Sequence, residues 1–199
     1  EFRRVLFRSR AETLKALLKL IPNATLVCSN PAAISLQKLL GETKANYLVI
    51  KGEEILDLGQ GHTLEFLLTP TPRWSDQLCT YDPKTRILFT DKFFGAHVCG
   101  EQILDEGWQV YQEDRRYYFD CLMAPHASQV GSILEKFQGK PAQIYGTGHG
   151  PIVRYGFHEL TNAYREWLQG QQAQATKVAL LYASAYGNTA TVANAIARG

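Results

Sequence analysis

The last stretch of the chain, residues 177–197, carries the pattern that most limits how the chain can fold. A run of apolar residues up to Tyr182 predicts a buried strand, and the end of the segment predicts the start of a helix. Hydroxyl side chains lie between them, with Gly187, at which the backbone can approach a ligand closely. Because the free amides at the start of a helix attract anions, this segment predicts a phosphate-binding loop. Its donors would be the hydroxyls of Ser184 and Thr189 and the amides at the start of the helix.

Composition and charge exclude several classes of protein. With 199 residues, of which 45% are hydrophobic, the chain can bury one good core and part of a second. Its formal net charge is +2, and four arginines stand in the first ten residues, so the remainder carries no basic surface for nucleic acid. No apolar run approaches the roughly 18 residues that cross a membrane. We therefore expect a globular protein with neither a membrane span nor a nucleic-acid partner.

The four cysteines are widely spaced and form neither a Cys-x-x-Cys pair nor a regular disulfide pattern. This spacing favours a reducing compartment, in which thiols stay free. We expect all four to be small buried hydrophobic side chains: Cys28, Cys79, Cys99 and Cys121.

A polar segment divides the chain into two unequal parts. Short strands and helices alternate from residue 11 to residue 170, which predicts a layered α/β fold with its chemistry on the loops. Residues 171–176 carry few apolar side chains and predict a linker, after which residues 177–199 would begin a second domain. Residues 1–10 are arginine-rich and open with Glu-Phe, so we interpret them as a cloning or assembly remnant, with a transit-peptide remnant as the alternative.

Local patterns predict the elements of the first part. Strands are expected at residues 24–28, 47–50, 54–57, 63–68, 77–81, 86–90 and 142–145. Helices are expected at residues 11–20, 31–40, 128–137 and 157–168. The polar and aromatic stretch 107–120 predicts no element, and its charge run Asp114-Arg115-Arg116 is interpreted as solvent-exposed.

Three loops that follow strands carry side chains suited to a site: residues 69–76, 89–97 and 145–151. The third is the most site-like, because glycines on both sides of His149 leave its imidazole room to meet a metal or ligand. A hydrogen-bonded structural histidine is the alternative. His97, at the end of the second loop, is a further candidate for the same cavity.

Taken together, these segments resemble the flavodiiron proteins. The resemblance is carried by Leu-Leu-Thr-Pro ending at Pro70, by Trp74 and Asp76, by Ile-Leu-Phe-Thr at 87–90 running into Phe94-Gly95, by Gly-His-Gly-Pro at 148–151, and by Ser184-x-Tyr186-Gly187-x-Thr189. It implies a metallo-β-lactamase-like αββα domain with a non-haem diiron site, joined to a flavodoxin-like doubly wound domain that binds FMN. Residues 11–170 would be the C-terminal part of the first domain.

The resemblance makes residues 177–199 the truncated start of the flavodoxin-like domain, consisting of one strand, the FMN phosphate loop and a helix. It implies that the loop binds the FMN phosphate through the hydroxyls of Ser184, Tyr186 and Thr189 and the amides of Ala185, Gly187 and Asn188. One strand and one helix cannot form an independent sheet. We therefore expect this piece to pack loosely and to bind FMN weakly by itself.

The resemblance also implies an activity and partners. In this family electrons pass from NAD(P)H, ferredoxin or a similar donor to FMN, then to two irons, and reduce oxygen to water or reduce nitric oxide. Subunits pair head to tail, as homodimers or as heterodimers with another flavodiiron subunit. One branch of the family, found in oxygenic phototrophs, has lost metal ligands. A resemblance to this branch implies a location in a cyanobacterial cytoplasm or a chloroplast stroma.

Carried onto this sequence, the resemblance places three metal-ligand positions at Arg73, Lys92 and His149, where the family has His, a bridging Asp and His. An arginine stays protonated in proteins and a lysine is an ammonium point charge, so both oppose a dication. We therefore predict no ordinary diiron site. Asp91 could pair with Lys92 or Arg73, which would leave a cavity held by salt bridges or occupied by an anion.

Two other classes of function stay open. One is a hydrolase of the metallo-β-lactamase type, which needs a histidine cluster upstream and is disfavoured by the same two cations. The other is a non-catalytic subunit that supplies an interface to an active flavodiiron partner.

Overall fold

Two sheets form the centre of the fold in the computed structural model, which describes residues 12–172 and 179–198. The smaller sheet pairs β1 (Thr25–Ser29) with β2 (Asn46–Ile50) in parallel. The larger sheet has five strands. Sheets flanked by helices give the mixed α/β architecture that the sequence predicts, so the predicted fold class is confirmed.

The described part of the chain begins with a helix, which is followed by a βαβ unit. Residues 12–20 are helical (α1), and α2 (Asn30–Leu40) connects β1 to β2. The side chain of Ser29 accepts a hydrogen bond from the amide of Ala32 at 3.3 Å, which caps the start of α2. Gly41, at φ 59°, ends the helix in a conformation that costs a glycine little.

The larger sheet is an antiparallel meander with one parallel strand added at its edge. It consists of β3 (Ile55–Gly59), β4 (His62–Leu68), β5 (Leu78–Asp82), β6 (Ile87–Asp91) and β7 (Ile144–Thr147). The first four strands pair antiparallel in sequence order, whereas β7 pairs parallel with β6. Because parallel neighbours end at the same edge, the loops that follow β6 and β7 lie side by side.

Three helices cover the larger sheet: α3 (Gln112–Leu122), α4 (Ala127–Gln138) and α5 (Phe157–Gln172). Two short 3-10 turns, Trp108–Tyr111 and Ala124–His126, precede α3 and α4. Aromatic rings fill the core between helices and sheet; Phe94 stacks on Tyr145 with ring centroids 3.9 Å apart. None of the helices in the described ranges is long and apolar enough to cross a membrane.

The predicted elements agree with this fold to within a few residues, and four predictions need correction. Residues 112–122 form α3, where the sequence predicts no element. The predicted linker 171–176 begins inside α5, which continues to Gln172; residues 173–176 lie outside the described ranges. Cys28 and Cys79 are buried as expected, but Cys99 and Cys121 are exposed.

The fourth correction concerns the end of the chain. Residues 179–184 form no strand, and Leu181 is 93% exposed, so the predicted buried strand is wrong for its described part. A strand is stable only beside a partner strand, and no described strand pairs with this segment. The predicted helix is present as α6 (Asn188–Ala197). Residues 177 and 178 lie outside the described ranges.

Candidate functional site

The candidate site lies at the shared edge of β6 and β7, where Lys92 and His149 meet. The ammonium nitrogen Nζ of Lys92 lies 3.2 Å from Nε2 of His149 and 3.2 Å from Oδ1 of Asp91. Lys92 is only 9% exposed. The sequence predicts that Lys92, His149 and Asp91 share one cavity, and the structure brings them together.

The contact between Lys92 and His149 fixes the hydrogen-bonding role of the imidazole. An ammonium group has three N–H donors and no acceptor, so Nε2 of His149 must accept. A neutral imidazole that accepts at Nε2 carries its proton at Nδ1. The charged Lys92 therefore favours one tautomer of His149.

The backbone around Lys92 is held in an unusual conformation by neighbouring groups. Asp91 and Phe94 have φ of 48° and 62°, a region that side chains other than glycine rarely adopt. The amide of Gly148 donates to the carbonyl of Asp91 at 2.7 Å, and this closeness leaves no space for a Cβ at residue 148. The loop after β7 thus holds the loop after β6 directly.

Two tyrosine hydroxyls from the covering helices complete this support. The hydroxyl of Tyr118, on α3, donates to the carbonyl of Lys92 at 2.9 Å. The hydroxyl of Tyr164, on α5, accepts from the amide of Phe94 at 3.0 Å. Both tyrosines are fully buried, so the backbone on either side of Lys92 is fixed by groups shielded from water.

Aromatic rings and charges line the rest of the cavity. The ring of His97 lies 4.6 Å from that of Tyr118 and 6.2 Å from that of His149, between centroids, so His97 stands beside both rings. Burial raises the pKa of Tyr118, the charge of Asp91 raises it further, and the charge of Arg73 lowers it. Arg73 is exposed and stacks 5.0 Å above the ring of Trp74.

These side chains do not suit a pair of iron ions. Iron needs neutral imidazole and carboxylate donors at about 2 Å, whereas the Lys92 ammonium stands between the carboxylate of Asp91 and the imidazole of His149. Within residues 12–172 and 179–198, no group of three or more His, Cys, Asp or Glu side chains is arranged to hold a metal ion. A dication placed here would face the positive charge of Lys92 at close range.

The loop before α6 has features that suit a phosphate. Gly187 precedes α6 with φ 83°, and the side-chain oxygen of Ser184 is buried without a hydrogen-bond partner among the described residues. A buried hydroxyl without a partner is costly unless a ligand supplies one. The side chain of Tyr186 is 93% exposed. The amides at the start of α6 and the Ser184 hydroxyl could together hold the phosphate of FMN.

A buried ion pair escapes the sequence analysis. Oδ2 of Asp105 lies 2.9 Å from a guanidinium nitrogen of Arg115, and both side chains are at most 2% exposed. Asp105 also accepts hydrogen bonds from the amides of Arg154, Tyr155 and Gly156. The prediction that Arg115 is a solvated charge is therefore wrong. The pair fixes the segment that follows the His149 loop.

Comparisons with known proteins agree with this fold. The sequence model of the ODP family beta lactamase matches residues 11–138. Diflavin flavoprotein A 3 from Synechocystis sp. is 63% identical over 193 residues, which cover 96% of this chain and 32% of that protein. Diflavin flavoprotein A 6 from Nostoc sp. is 61% identical over 191 residues, covering 96% of this chain and 34% of the relative. The chain thus spans about a third of the length of these curated relatives.

Solved structures give the same result. The metal-soaked Flv1 flavodiiron core from Synechocystis sp. matches with a TM-score of 0.82 and 63% identity, covering 96% of this chain and 48% of that one. The flavodiiron protein from Giardia intestinalis matches with a TM-score of 0.74 and 25% identity, covering 81% and 40%. The resemblance to flavodiiron proteins is thereby confirmed, and the chain belongs to the ODP family of β-lactamase-like domains.

Proposed function

We propose that this chain is part of an FMN-dependent flavodiiron-type oxidoreductase subunit that passes electrons towards the reduction of oxygen to water. We further propose that its own cavity does not hold the usual two irons. One observation carries the second statement: the Lys92 ammonium lies 3.2 Å from both the imidazole and the carboxylate that could face a metal. The positive charge of Arg73 acts in the same direction.

In this proposal residues 11–170 belong to the metallo-β-lactamase-like domain and residues 177–199 begin the flavodoxin-like domain. FMN, when bound, supplies redox chemistry in which electrons are accepted as a pair and passed on one at a time. The chain's own contribution is to bind its phosphate. The donors would be the hydroxyls of Ser184, Tyr186 and Thr189 and the amides of Ala185, Gly187 and Asn188.

A subunit that binds FMN but lacks the irons needs a second subunit that has them. We therefore propose a head-to-tail dimer with another flavodiiron subunit, in which electrons from NAD(P)H, ferredoxin or a similar donor pass to the partner's metal site. The cyanobacterial relatives support a role beside photosynthesis and a cytoplasmic location. A chloroplast stroma would be the equivalent location in algae.

Metal analysis of the gene product at its full genomic length tests the ligand loss. We expect well below one equivalent of iron or zinc per purified subunit, with flavin present. Two equivalents per subunit would overturn the proposal. The double substitution R73H/K92D, which restores a neutral and an acidic donor, should raise the metal content, whereas K44M, at an exposed lysine, should not.

Competition between FMN and riboflavin tests the phosphate loop in the same protein. FMN should bind more tightly, and S184A should weaken FMN about tenfold or more while leaving riboflavin unchanged, because only FMN has a phosphate for this hydroxyl. Ser132→Ala, on the exposed face of α4, is the matched control. Equal affinity for FMN and riboflavin would contradict the assigned role of the loop.

A further inference from the structure

A groove lies on the surface between α3, α5 and the turn Trp108–Tyr111. Its charge is opposite in sign to that of Lys92 in the candidate site. Its volume is about 700 Å³. Glu113, Tyr117 and Asp120 recur at helical spacing on one face of α3, and Glu159, Ala163 and Trp167 do so on α5. Beneath the groove the two helices are in contact through aromatic rings, and the ring centroids of Phe119 and Trp167 are 5.1 Å apart.

The charges in this groove do not balance. The two arginines that line it are already paired, Arg115 with Asp105 and Arg116 with Asp120, each at 2.9 Å. The exposed carboxylates of Glu113 and Glu159 have no hydrogen-bond or ion-pair partner among the described residues. The groove therefore carries two uncompensated negative charges.

Aromatic side chains stand beside these carboxylates. Trp108 and Trp167 are half-buried, and Tyr117 is 64% exposed. The guanidinium of Arg116 already lies 5.2 Å from the ring of Trp167, which shows that this wall accepts a cation over its face. Trp108 and Tyr117 offer further ring surface against which the aliphatic stem of a long basic side chain could pack.

We propose that this groove binds a basic segment of a partner protein, with a lysine or arginine side chain held by Glu113 and Glu159 against the aromatic wall. The charge complementarity selects this occupant. A purely apolar segment would desolvate two carboxylates without pairing them, and an acidic segment would be repelled by them. The inference depends neither on FMN nor on the Lys92 cavity.

Titration of the chain with two synthetic peptides tests the proposal. The basic probe is acetyl-(Arg-Gly)3-amide and the acidic probe is acetyl-(Glu-Gly)3-amide, followed by tryptophan fluorescence and calorimetry. We expect the basic peptide to bind, to quench tryptophan emission, and to bind more weakly at about 300 mM than at about 20 mM salt. The acidic peptide should not bind.

Matched variants separate the groove from the general surface charge. The double substitution E113Q/E159Q should weaken the basic peptide about fivefold or more, because it removes both unpaired carboxylates. The double substitution E42Q/E53Q removes two exposed carboxylates elsewhere and should change the affinity less than about twofold. Equal weakening by both variants, unchanged binding to E113Q/E159Q, or binding of the acidic peptide would overturn the proposal.

Discussion

The ammonium of Lys92 donates to Nε2 of His149 at 3.2 Å, across the edge shared by two parallel strands. This contact joins the loop after β6 to the loop after β7 through side chains, and the hydrogen bond from Gly148 to Asp91 joins them through the backbone. A metallo-β-lactamase-like fold that uses a metal at this edge would hold these loops by coordination. In this chain the Lys92 ammonium takes the place of the metal, and hydrogen bonds within the chain hold the two loops together.

Replacing Lys92 by methionine should therefore destabilise the chain. The substitution keeps the length of the side chain but removes the charge-assisted hydrogen bonds to Asp91 and His149. We expect a loss of about 1–2 kcal/mol in the free energy of unfolding, measured by urea denaturation. K44M, at an exposed lysine, should change it by less than about 0.5 kcal/mol. A loss no larger for K92M than for K44M would show that the contact contributes nothing to stability.

Gly148 should not tolerate a side chain. A Cβ there would overlap Oδ1 of Asp91 and lie 2.9 Å from the Asp91 carbonyl oxygen, which cannot move away because the Gly148 amide donates to it. G148A should cost about 2–4 kcal/mol in unfolding free energy. Gly131, inside α4, has nothing within 4 Å of its added Cβ, so G131A should be stabilising by about 0.5–1 kcal/mol.

The hydroxyl of Tyr164 should be needed to hold the strained residue Phe94. In Y164F the amide of Phe94, which is 1% exposed, loses its acceptor. We expect a loss of about 1–3 kcal/mol, measured by denaturant unfolding, and faster hydrogen exchange at the Phe94 amide. Y155F removes an exposed hydroxyl whose hydrogen bond to Glu106 is long, at 3.4 Å, so the free energy of unfolding should hardly change. An unchanged exchange rate at Phe94 would contradict the assigned role.

The sequence predicts the strands of this fold well because they alternate or form short apolar runs between clear turns. It fails at α3 for a physical reason. The buried positions of α3 are Arg115, Tyr118, Phe119 and Leu122, which follow helical spacing, but the first is an arginine. Because a charged side chain predicts exposure, the sequence does not indicate that this is a core position. Arg115 can be buried because it pairs with Asp105, which lies ten residues away and which no sequence pattern marks.

The site is predictable to a similar extent. The resemblance to flavodiiron proteins places Lys92 and His149, with the adjacent Asp91, in one cavity, and in the structure these three side chains lie in contact. It does not indicate the tyrosine hydroxyls that support Lys92, since Tyr118 comes from a helix that the sequence does not predict. A backbone contact between distant segments leaves no local pattern, so only the fold can show it.

Acid should weaken the turn after β5. Burial raises the pKa of Asp82, but the hydrogen bonds from Thr85 and Lys84 and the nearby His62 imidazole, at 3.1 Å, outweigh burial, and the net pKa is lowered. The unfolded chain therefore takes up the proton first, so the stabilisation by this carboxylate is present above its unfolded pKa of about 3.9 and is lost as the pH falls through the folded pKa.

Comparison of D82N with the unchanged protein measures this effect. The gap between their unfolding free energies should be widest near neutral pH and should narrow below about pH 4. E42Q removes an exposed carboxylate that has no ion-pair or hydrogen-bond partner in the described part of the chain, and so reports the change due to net charge alone. A gap for D82N that stays constant down to pH 3 would contradict the assigned cause.

The buried pair of Asp105 and Arg115 should show strong coupling in a double-mutant cycle. R115M leaves Asp105 buried with three backbone amides as its remaining donors, and D105N leaves the guanidinium without a counter-charge. Each single substitution should cost about 3–5 kcal/mol, and the double variant D105N/R115M should cost clearly less than their sum. The exposed pair Arg116 and Asp120 is the control, since R116M should cost less than about 1 kcal/mol. Additive losses at the buried pair would show that the two side chains stabilise the fold independently.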